Sequence, residues 1–445
     1  MDRKNITVLG GGSAYTPGLV EGLLRLRDQL PLRRLTLMDI DRDKLDTVAA
    51  LVRKMVAAAD PEAEVAATAD RGEALTGADF VLCQIRVGGL AARHLDEKLP
   101  LKYDVIGQET TGPGGFAMAL RTIPVMVDIA REMERRCPDA WLINYTNPTG
   151  IVAEAVHRAT NAKMISICDI PISIQHFVAI AMGVPRDAIS LDYVGLNHLG
   201  WVRHVWHEGR DVMPLLRQMA DSLDLAHLPP GFVLEDDRMT KDLHYMLKLF
   251  KKIGVIPSPY LMYYYYSDEL LSRLKADPLT RAEEVMAIER DLLPFYREAA
   301  ARPEVDLWKK RGGDWHADMM VGMVAAIAND AQSRFIVNLP NSGAIKGLPD
   351  DKVVELPAIV GRRGAQALVV GEVPPDMLGL MQVVGAYETL TVEAALEGSY
   401  EKALRALALH PLVPSIAVAE KLLDDYLAAH RAYLPQFSGS QGAGA

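Results

Sequence analysis

Short apolar runs alternate with longer stretches of helical periodicity through the first 195 residues, and this alternation restricts the fold more than any other feature of the sequence. Repeated strand–helix units are typical of a parallel sheet whose strands are joined by crossover helices. The predicted strands are residues 6–9, 35–38, 80–84, 141–143 and 164–167. The predicted helices are residues 17–27, 42–59, 116–136, 148–160 and 172–182. Such a sheet binds its ligand at the carboxyl ends of its strands.

The alternation gives way after about residue 196 to long helical segments. We predict helices at 236–252, 267–301, 316–330 and 415–433, and strands that include 335–337 and 367–370. A chain of 445 residues is long enough for two cores. The predicted fold class is therefore α/β, with a Rossmann-like parallel-sheet domain at 1–195, a second, helix-rich α+β lobe at 196–437 and a flexible Gly/Ser/Ala tail at 438–445.

The charge and cysteine content exclude several classes of protein. The 48 basic and 58 acidic residues give a net charge of −10, which disfavours binding to nucleic acid or to an anionic membrane. The three cysteines, Cys83, Cys137 and Cys168, form no disulfide framework, which fits a reducing compartment. Neither a signal peptide nor a run of 18 uncharged apolar residues occurs. We predict a soluble, cytoplasmic protein with no nucleic-acid or membrane partner.

A glycine-rich turn follows the first predicted strand. It consists of Gly10, Gly11, Gly12 and Ser13. Glycines at this point allow backbone N–H groups to approach a pyrophosphate at a helix N-terminus, although Tyr15 occupies the third glycine position of the G-x-G-x-x-G pattern. The next predicted strand ends at Asp39, whose carboxylate can accept hydrogen bonds from a ribose and disfavours a 2′-phosphate. NAD is therefore favoured over NADP, and an ordinary tight turn with an exposed acid is the alternative.

Cys168 ends the predicted strand at 164–167 and is followed by Asp169, at the edge where such a sheet binds ligands. His198 lies in a turn-like Gly-Leu-Asn-His-Leu-Gly segment after another apolar run. A thiolate and an imidazole in one crevice could hold a divalent metal with positions left open for sugar oxygens. Spacing alone leaves the alternative of a buried structural cysteine and an unrelated histidine.

Nine short motifs, which include these residues, occur in order along nearly the whole chain. They are residues 10–17, 85–88, 100–103, 107–115, 144–148, 168–171, 195–198, 259–264 and 280–283. With these motifs the chain resembles the NAD- and metal-dependent glycosidases of glycoside hydrolase family 4, in particular the 6-phospho-glucosidases. This family is an exception to glycoside hydrolysis by two carboxylates.

The resemblance implies a redox route to hydrolysis with no net oxidation. NAD oxidises the sugar at C3, the C2 proton is removed, the C1 substituent is eliminated, water adds, and NADH returns the hydride. A divalent metal, with Mn²⁺ as the expected ion, polarises the ketone through the sugar oxygens. Cys168 and His198 match the two protein ligands of that metal.

The resemblance also assigns roles to single residues. Tyr260 matches the proton acceptor, Glu109 the acid that raises the basicity of the tyrosine, and Asp169 the proton donor to the leaving oxygen in α-acting members. Positions that contact the substrate are matched by Arg93, Asn147 and Arg281. The implied substrate is a phosphorylated disaccharide or glucoside, the lobe at 196–437 takes part in substrate and metal binding and in oligomerisation, and the assembly is a homodimer or homotetramer.

The anomer is the point on which the motifs disagree. Much of the chain, including Arg86-Val-Gly-Gly89, looks like the 6-phospho-β-glucosidases, whereas Cys168-Asp169 follows the α-acting branch. We favour hydrolysis of 6-phospho-β-glucosides to glucose 6-phosphate. The alternatives are a 6-phospho-α-glucosidase or another family 4 α-glycosidase, including one for α-galactosides or galacturonides without phosphate. More distant alternatives are an NAD-dependent 2-hydroxyacid dehydrogenase, which would accumulate NADH, and a non-catalytic sensor.

Overall fold

The computed structural model describes residues 2–227, 237–302 and 314–438, and thirteen strands of these residues form one sheet. The strands are β1 Lys4–Leu9, β2 Leu32–Met38, β3 Glu64–Thr68, β4 Phe80–Cys83, β5 Trp141–Asn144, β6 Met164–Ser166, β7 Ile189–Leu196, β8 Leu199–His207, β9 Arg210–Asp211, β10 Ile256–Pro257, β11 Ser333–Pro340, β12 Val353–Gly361 and β13 Gly364–Ala367.

Helices cover both faces of this sheet. They are α1 Thr16–Arg25, α2 Arg42–Ala59, α3 Arg71–Leu75, α4 Gly89–Lys98, α5 Pro113–Arg136, α6 Thr149–Ala159, α7 Ile170–Met182, α8 Met213–Ser222, α9 Asp237–Ile253, α10 Met262–Tyr265, α11 Ser267–Ala276, α12 Arg281–Ala301, α13 Asp314–Asn329, α14 Pro375–Glu397, α15 Tyr400–Leu409 and α16 Ile416–Ala429. None of the helices in the described part of the chain is long and apolar enough to cross a membrane.

The first six strands are parallel and lie in the order β3-β2-β1-β4-β5-β6, which confirms the predicted Rossmann-like sheet. The strand order reverses between β1 and β4, and a doubly wound sheet binds its ligand at such a switch point. The carboxyl ends of these two strands are joined there, because Gln84 donates a side-chain hydrogen bond to the carbonyl of Gly10 at 3.2 Å.

The second half of the chain extends the same sheet with antiparallel strands. β11 joins the edge of β6, and β12, β7, β8 and β10 follow in that order. The sheet therefore continues past residue 195, and the division into two domains at that point stays a prediction. The tail predicted at 438–445 lies outside the described residues, except for Ser438.

Alternating side chains of the central strands enter two cores on opposite faces of the sheet. In β4, Val81 and Cys83 pack on one face with α5 and α6, whereas Leu82 packs on the other face with α1 and α2. This is the two-residue period of a strand that is covered by helices on both sides. The core thus fixes which strand ends, and which side chains after them, meet at the carboxyl edge.

Two predicted elements in the second half need correction. The helix predicted at 267–301 is two helices, because Pro278 lacks an N–H and Thr280 starts α12 with a capping box closed by Glu283. The strand predicted at 367–370 is wrong: β13 ends at Ala367, and Val369 is 83% exposed. Two of the long elements described in this half, β12 and α14, were not predicted from the sequence.

Candidate active site

The glycine turn is fixed to the end of β2. The N–H groups of Gly10 and Gly11 donate to the carbonyl of Met38 at 2.9 and 2.8 Å, and the N–H of Gly12 donates to Asp39 Oδ2 at 2.9 Å. A Cβ on Gly12 would lie 3.0 Å from that carboxylate oxygen, so a larger residue would push the turn away from Asp39. The turn therefore places the N-terminus of α1 beside the Asp39 carboxylate. This arrangement fits the pyrophosphate and the ribose of a dinucleotide.

Cys168 and His198 come from different parts of the sheet and are both buried. Cys168 follows β6 and is 5% exposed, whereas His198 lies in the turn between β7 and β8 with φ of +64° and is 6% exposed. Asn197, which precedes His198 in this turn, donates a side-chain hydrogen bond to Glu355 of β12 at 3.1 Å. The His198 ring stacks on Tyr260 with 3.9 Å between ring centroids, and its Nδ1 lies 2.8 Å from Thr110 Oγ1.

The electrostatics of this pair suit a metal ion. Burial lowers the pKa of His198 to about 4, so the imidazole is neutral at physiological pH, as a metal ligand must be. Burial, followed by the charges of Glu355 and Asp169, raises the pKa of the Cys168 thiol well above its usual value. A thiolate here needs a nearby cation.

No group of three or more His, Cys, Asp or Glu side chains within residues 2–227, 237–302 and 314–438 is arranged to hold a metal. The protein would therefore supply a thiolate and an imidazole only. This donor set fits an open site whose remaining positions are filled by oxygens of a bound sugar or by water.

A cavity of about 350 Å³ lies on the other side of Tyr260, and neither Cys168 nor His198 is among the residues that line it. Four of the residues predicted from the sequence line it, namely Arg93, Glu109, Tyr260 and Arg281. They are brought together by α4, by the segment that precedes α5, by the 3-10 turn Pro259–Leu261 and by the first residue of α12. Tyr15, which follows the glycine turn, also lines the cavity and connects it to the proposed dinucleotide site.

Glu109 lies between two arginines. Its Oε2 accepts a hydrogen bond from Arg86 at 2.6 Å and is 3.2 Å from Arg93 Nε, and Arg93 also donates to Glu97 at 2.7 Å. Burial alone would raise the pKa of Glu109, but the charges of Arg86 and Arg93 outweigh it and lower that pKa to about 2. Glu109 is therefore a carboxylate at every pH at which the protein would work.

The pKa values of Tyr260 and Asp169 are both raised. Burial raises the pKa of Tyr260 well above 10, and the negative charges of Glu109, Cys168 and Asp169 raise it further. Burial also raises the pKa of Asp169, although hydrogen bonding from Tyr145 opposes this shift. The phenol therefore keeps its proton despite the Arg93 guanidinium that lines the same cavity, and Asp169 is a carboxyl group with raised proton affinity.

The remaining predicted residues differ in their surroundings. Arg281 Nη1 donates to Glu284 at 2.8 Å at the cavity wall. Asn147, after β5, accepts a hydrogen bond from the Thr149 hydroxyl at 3.0 Å and lies outside the set of residues that line the cavity. Arg86 and Tyr145 were not predicted as site residues. Both follow the ends of parallel strands, and this position is the signal in the sequence that could identify them.

The ion pairs of Glu109 predict a dependence of stability on pH. Its pKa of about 2 lies below the ordinary 4.5, so its contribution to folding is complete above pH 4.5 and is lost as the pH falls through about 2. We expect Glu109→Gln to lower the free energy of unfolding by about 3 kcal/mol at pH 7, and by about half as much at pH 3.

Urea unfolding of both proteins at the two pH values measures this difference. Glu64→Gln, which replaces an exposed glutamate, is the control and should change stability by less than about 0.5 kcal/mol at either pH. An effect of Glu109→Gln that is the same at pH 3 and pH 7 would contradict the assignment of a lowered pKa.

Known proteins similar to this chain have been found by sequence and by structure. The sequence matches two protein-family models, described as family 4 glycosyl hydrolase over residues 5–184 and as the family 4 glycosyl hydrolase C-terminal domain over residues 193–413. It is 40% identical over 441 residues to a probable 6-phospho-beta-glucosidase of Bacillus subtilis (strain 168), with 97% of each chain covered.

The chain is also 38% identical over 456 residues to 6-phospho-alpha-glucosidase 1 of Lacticaseibacillus paracasei, with 98% of this chain and 99% of that protein covered. A crystal structure of a 6-phospho-alpha-glucosidase from gut microorganisms, in complex with NAD and Mn²⁺, superposes on it with a TM-score of 0.92. That protein is 33% identical to this one, and the superposition covers 98% of this chain and 100% of the other.

Proposed function

Because the chain belongs to family 4 of the glycosyl hydrolases, we propose that it hydrolyses 6-phospho-β-glucosides to glucose 6-phosphate with NAD and a divalent metal, Mn²⁺ being the expected ion. The observation that carries this proposal is the stacking of Tyr260 on His198, 3.9 Å apart, at the wall of a cavity that Glu109 and Arg281 also line. A base and a cation for a phosphate thus line one space large enough for a sugar, and a metal ligand stacks on that base.

The chain supplies separate sites for the two bound groups. When bound, NAD supplies reversible hydride transfer and the metal supplies a Lewis acid for the sugar oxygens. The glycine turn and Asp39 would hold the dinucleotide, and Cys168 Sγ and His198 would hold the metal. The complex of the similar 6-phospho-alpha-glucosidase with NAD and Mn²⁺ supports this choice of cofactors.

Tyr260 and Asp169 are the residues proposed to transfer protons. Tyr260 Oη takes the proton from C2 of the sugar, and the Glu109 carboxylate makes the phenolate more basic without competing for the proton, since its own pKa is about 2. For an α-linked leaving group, Asp169 donates a proton to the leaving oxygen, a role that burial favours by raising its pKa. Asp169 follows Cys168 in the chain, and Tyr260 stacks on His198. The two proton transfers are therefore proposed to occur beside the same sugar.

The phosphate is proposed to bind arginine. Arg281 lies at the cavity wall at the start of α12, and Arg93 lines the same space with its Nε paired to Glu97. Asn147 is proposed to contact the substrate from the end of β5. Assembly as a homodimer or homotetramer and a cytoplasmic location stay predictions.

Arg281→Ala tests the phosphate site. We expect KM for the phosphorylated substrate to rise about 10- to 100-fold, the effect of losing one hydrogen bond between charged groups, with little change in NAD affinity. Arg290→Ala, at an exposed position of the same helix, is the control and should leave KM unchanged. Equal KM values for Arg281→Ala and Arg290→Ala would exclude Arg281 from the phosphate site.

The β anomer is favoured by the 40% identical relative, which is named a probable 6-phospho-beta-glucosidase. Asp169 supports 6-phospho-α-glucosidase activity as a second candidate. It is hydrogen-bonded to Tyr145, and burial raises its pKa, as a proton donor to the leaving oxygen requires. The 38% identical relative carries the α name.

Release of p-nitrophenol from the 6-phosphorylated β- and α-glucosides, with NAD and Mn²⁺ each added or omitted under reducing conditions, tests the function. Turnover of the β-glucoside that needs both additions, with no NADH accumulating, is the expected result. Turnover of the α-glucoside alone would favour the second candidate. Release from neither, with NADH formed from 2-hydroxyacids, would overturn the proposal.

A further inference from the structure

A buried glutamate lies directly beneath the turn that carries His198. Glu355 of β12 has no exposed surface, and its carboxylate accepts three hydrogen bonds. The donors are Tyr193 Oη at 2.8 Å, Asn197 Nδ2 at 3.1 Å and Asn338 Nδ2 at 2.9 Å. These groups come from β7, from the turn after it and from β11, so one carboxylate connects three segments of the sheet.

The strand register is arranged so that these donors can reach the carboxylate. Glu355 pairs with Gly195 across β12 and β7, and Gly195 pairs with Gly200 across the hairpin. A Cβ on Gly200 would collide with Tyr193 Oη, so the missing side chain allows the Tyr193 hydroxyl to reach Glu355. The carbonyl of Gly200 in turn accepts the N–H of Ser258, two residues before Tyr260, at 2.8 Å.

Asn197 is the link between this carboxylate and His198. It precedes His198 in the turn and donates to Glu355 at 3.1 Å. Loss of the acceptor at Glu355 would free the Asn197 side chain, and with it the turn that places the His198 ring.

We propose that Glu355 is a positioning residue that holds the Asn197 side chain, and through it the turn that carries His198, so that His198 is placed to bind a divalent cation together with Cys168. This inference rests on the proposed function. The three donors to Glu355 are neutral, and a buried carboxylate with neutral partners is costly. A divalent cation held by Cys168 and His198 would offset that cost, which would explain why a carboxylate occupies this position.

Direct titration of the substrate-free protein with Mn²⁺, followed by electron paramagnetic resonance, tests the proposal. Partners of metal ligands typically alter metal affinity 10- to 100-fold when they are removed, so we expect Glu355→Ala and Asn197→Ala each to raise the Kd for Mn²⁺ by about that factor. The double variant should be no weaker than the weaker single variant, because both changes break one chain of contacts. Glu355→Gln, which keeps an acceptor oxygen, should retain most of the affinity.

Glu154→Gln is the matched control, since Glu154 is also fully buried but pairs with Lys352 at 2.7 Å. It should leave the Kd for Mn²⁺ unchanged, and NAD titration of every variant reports whether the fold is intact. If Glu355→Ala does not fold, Asn197→Ala and Tyr193→Phe carry the test, with the smaller effect expected for Tyr193→Phe.

A wild-type Kd for Mn²⁺ in Glu355→Ala, or in Asn197→Ala if only that variant folds, would overturn the positioning role while leaving the proposed function intact. Additive losses in the double variant would likewise separate Glu355 from Asn197 and overturn it. Failure of the wild-type protein to bind Mn²⁺ at all would overturn the proposed function itself, and the inference with it.

Discussion

Cys168→Ala is expected to lower kcat/KM for the 6-phosphoglucoside by at least about 1,000-fold and to abolish tight Mn²⁺ binding. No third His, Cys, Asp or Glu of the described residues is arranged with this pair to hold a metal, so loss of the thiolate would leave His198 as the one remaining protein ligand. A Lewis acid contributes several kcal/mol to such a reaction, and each 1.36 kcal/mol corresponds to about tenfold in rate. Kinetics with added Mn²⁺, together with a direct Mn²⁺ titration, measure both effects.

Cys137→Ala is the matched control for this substitution. Burial raises the pKa of the Cys137 thiol to about 11, and the residue follows α5 at the amino edge of the sheet, opposite the site. It should keep wild-type activity and Mn²⁺ affinity. A Cys168→Ala variant that turns over substrate like the wild type, even after treatment with EDTA, would remove Cys168 from the metal site.

The sequence predicts five of the six parallel strands because each of these contains a short apolar run. In β4 all four residues are apolar and buried, and the last four residues of β1 are buried as well, so the residues that follow fall at the carboxyl edge. The placement of Cys168 after β6 follows from the same rule. The exception is β3, Glu64–Thr68, which is only partly buried and was not predicted.

The antiparallel half was harder to predict because its signals conflict. β12 is buried along nearly its whole length yet contains Glu355 and Pro357, which are typical of a loop or an edge strand. The polarity of Glu355 is explained by Asn338, which is 17 residues away on the neighbouring strand, and by Tyr193, which is 162 residues away. Neither pairing can be predicted from a single sequence. The helix α14 includes several β-branched residues and glycines of low helix propensity, and packing against α5 and α15 overrides them.

The ion pairs of a predicted arginine were also difficult to predict from the sequence. Arg93 was identified from a family motif as a substrate contact, but the motif does not indicate that its charge is shared with Glu97 and Glu109. Glu97 is one helical turn away and could have been noticed, whereas Glu109 reaches Arg93 through the fold of the segment before α5. Charge balance in a site therefore needs the structure even when the residue types are correct.

Tyr260→Phe is expected to lower kcat by about 100- to 10,000-fold, the usual contribution of a positioned base, with KM and the Kd for Mn²⁺ nearly unchanged. The substitution removes one oxygen and keeps the ring that stacks on His198 at 3.9 Å. The loss should therefore appear in proton transfer and leave the binding of sugar, metal and NAD intact. In D₂O the wild type should place deuterium at C2 of the product, and Tyr260→Phe should do so at a rate reduced as much as kcat.

Tyr263→Phe is the matched control, because Tyr263 lines the same cavity and its ring lies 6.3 Å from that of Tyr260. It should keep kcat within about threefold of the wild type, as expected for a residue whose hydroxyl takes no part in the reaction. If Tyr260→Phe and Tyr263→Phe slow turnover equally, or if Tyr260→Phe raises KM with kcat preserved, Tyr260 acts in binding and the base is another group. A selective loss of C2 exchange in Tyr260→Phe would assign the proton to Tyr260 Oη, because the two variants remove the same atom from neighbouring rings.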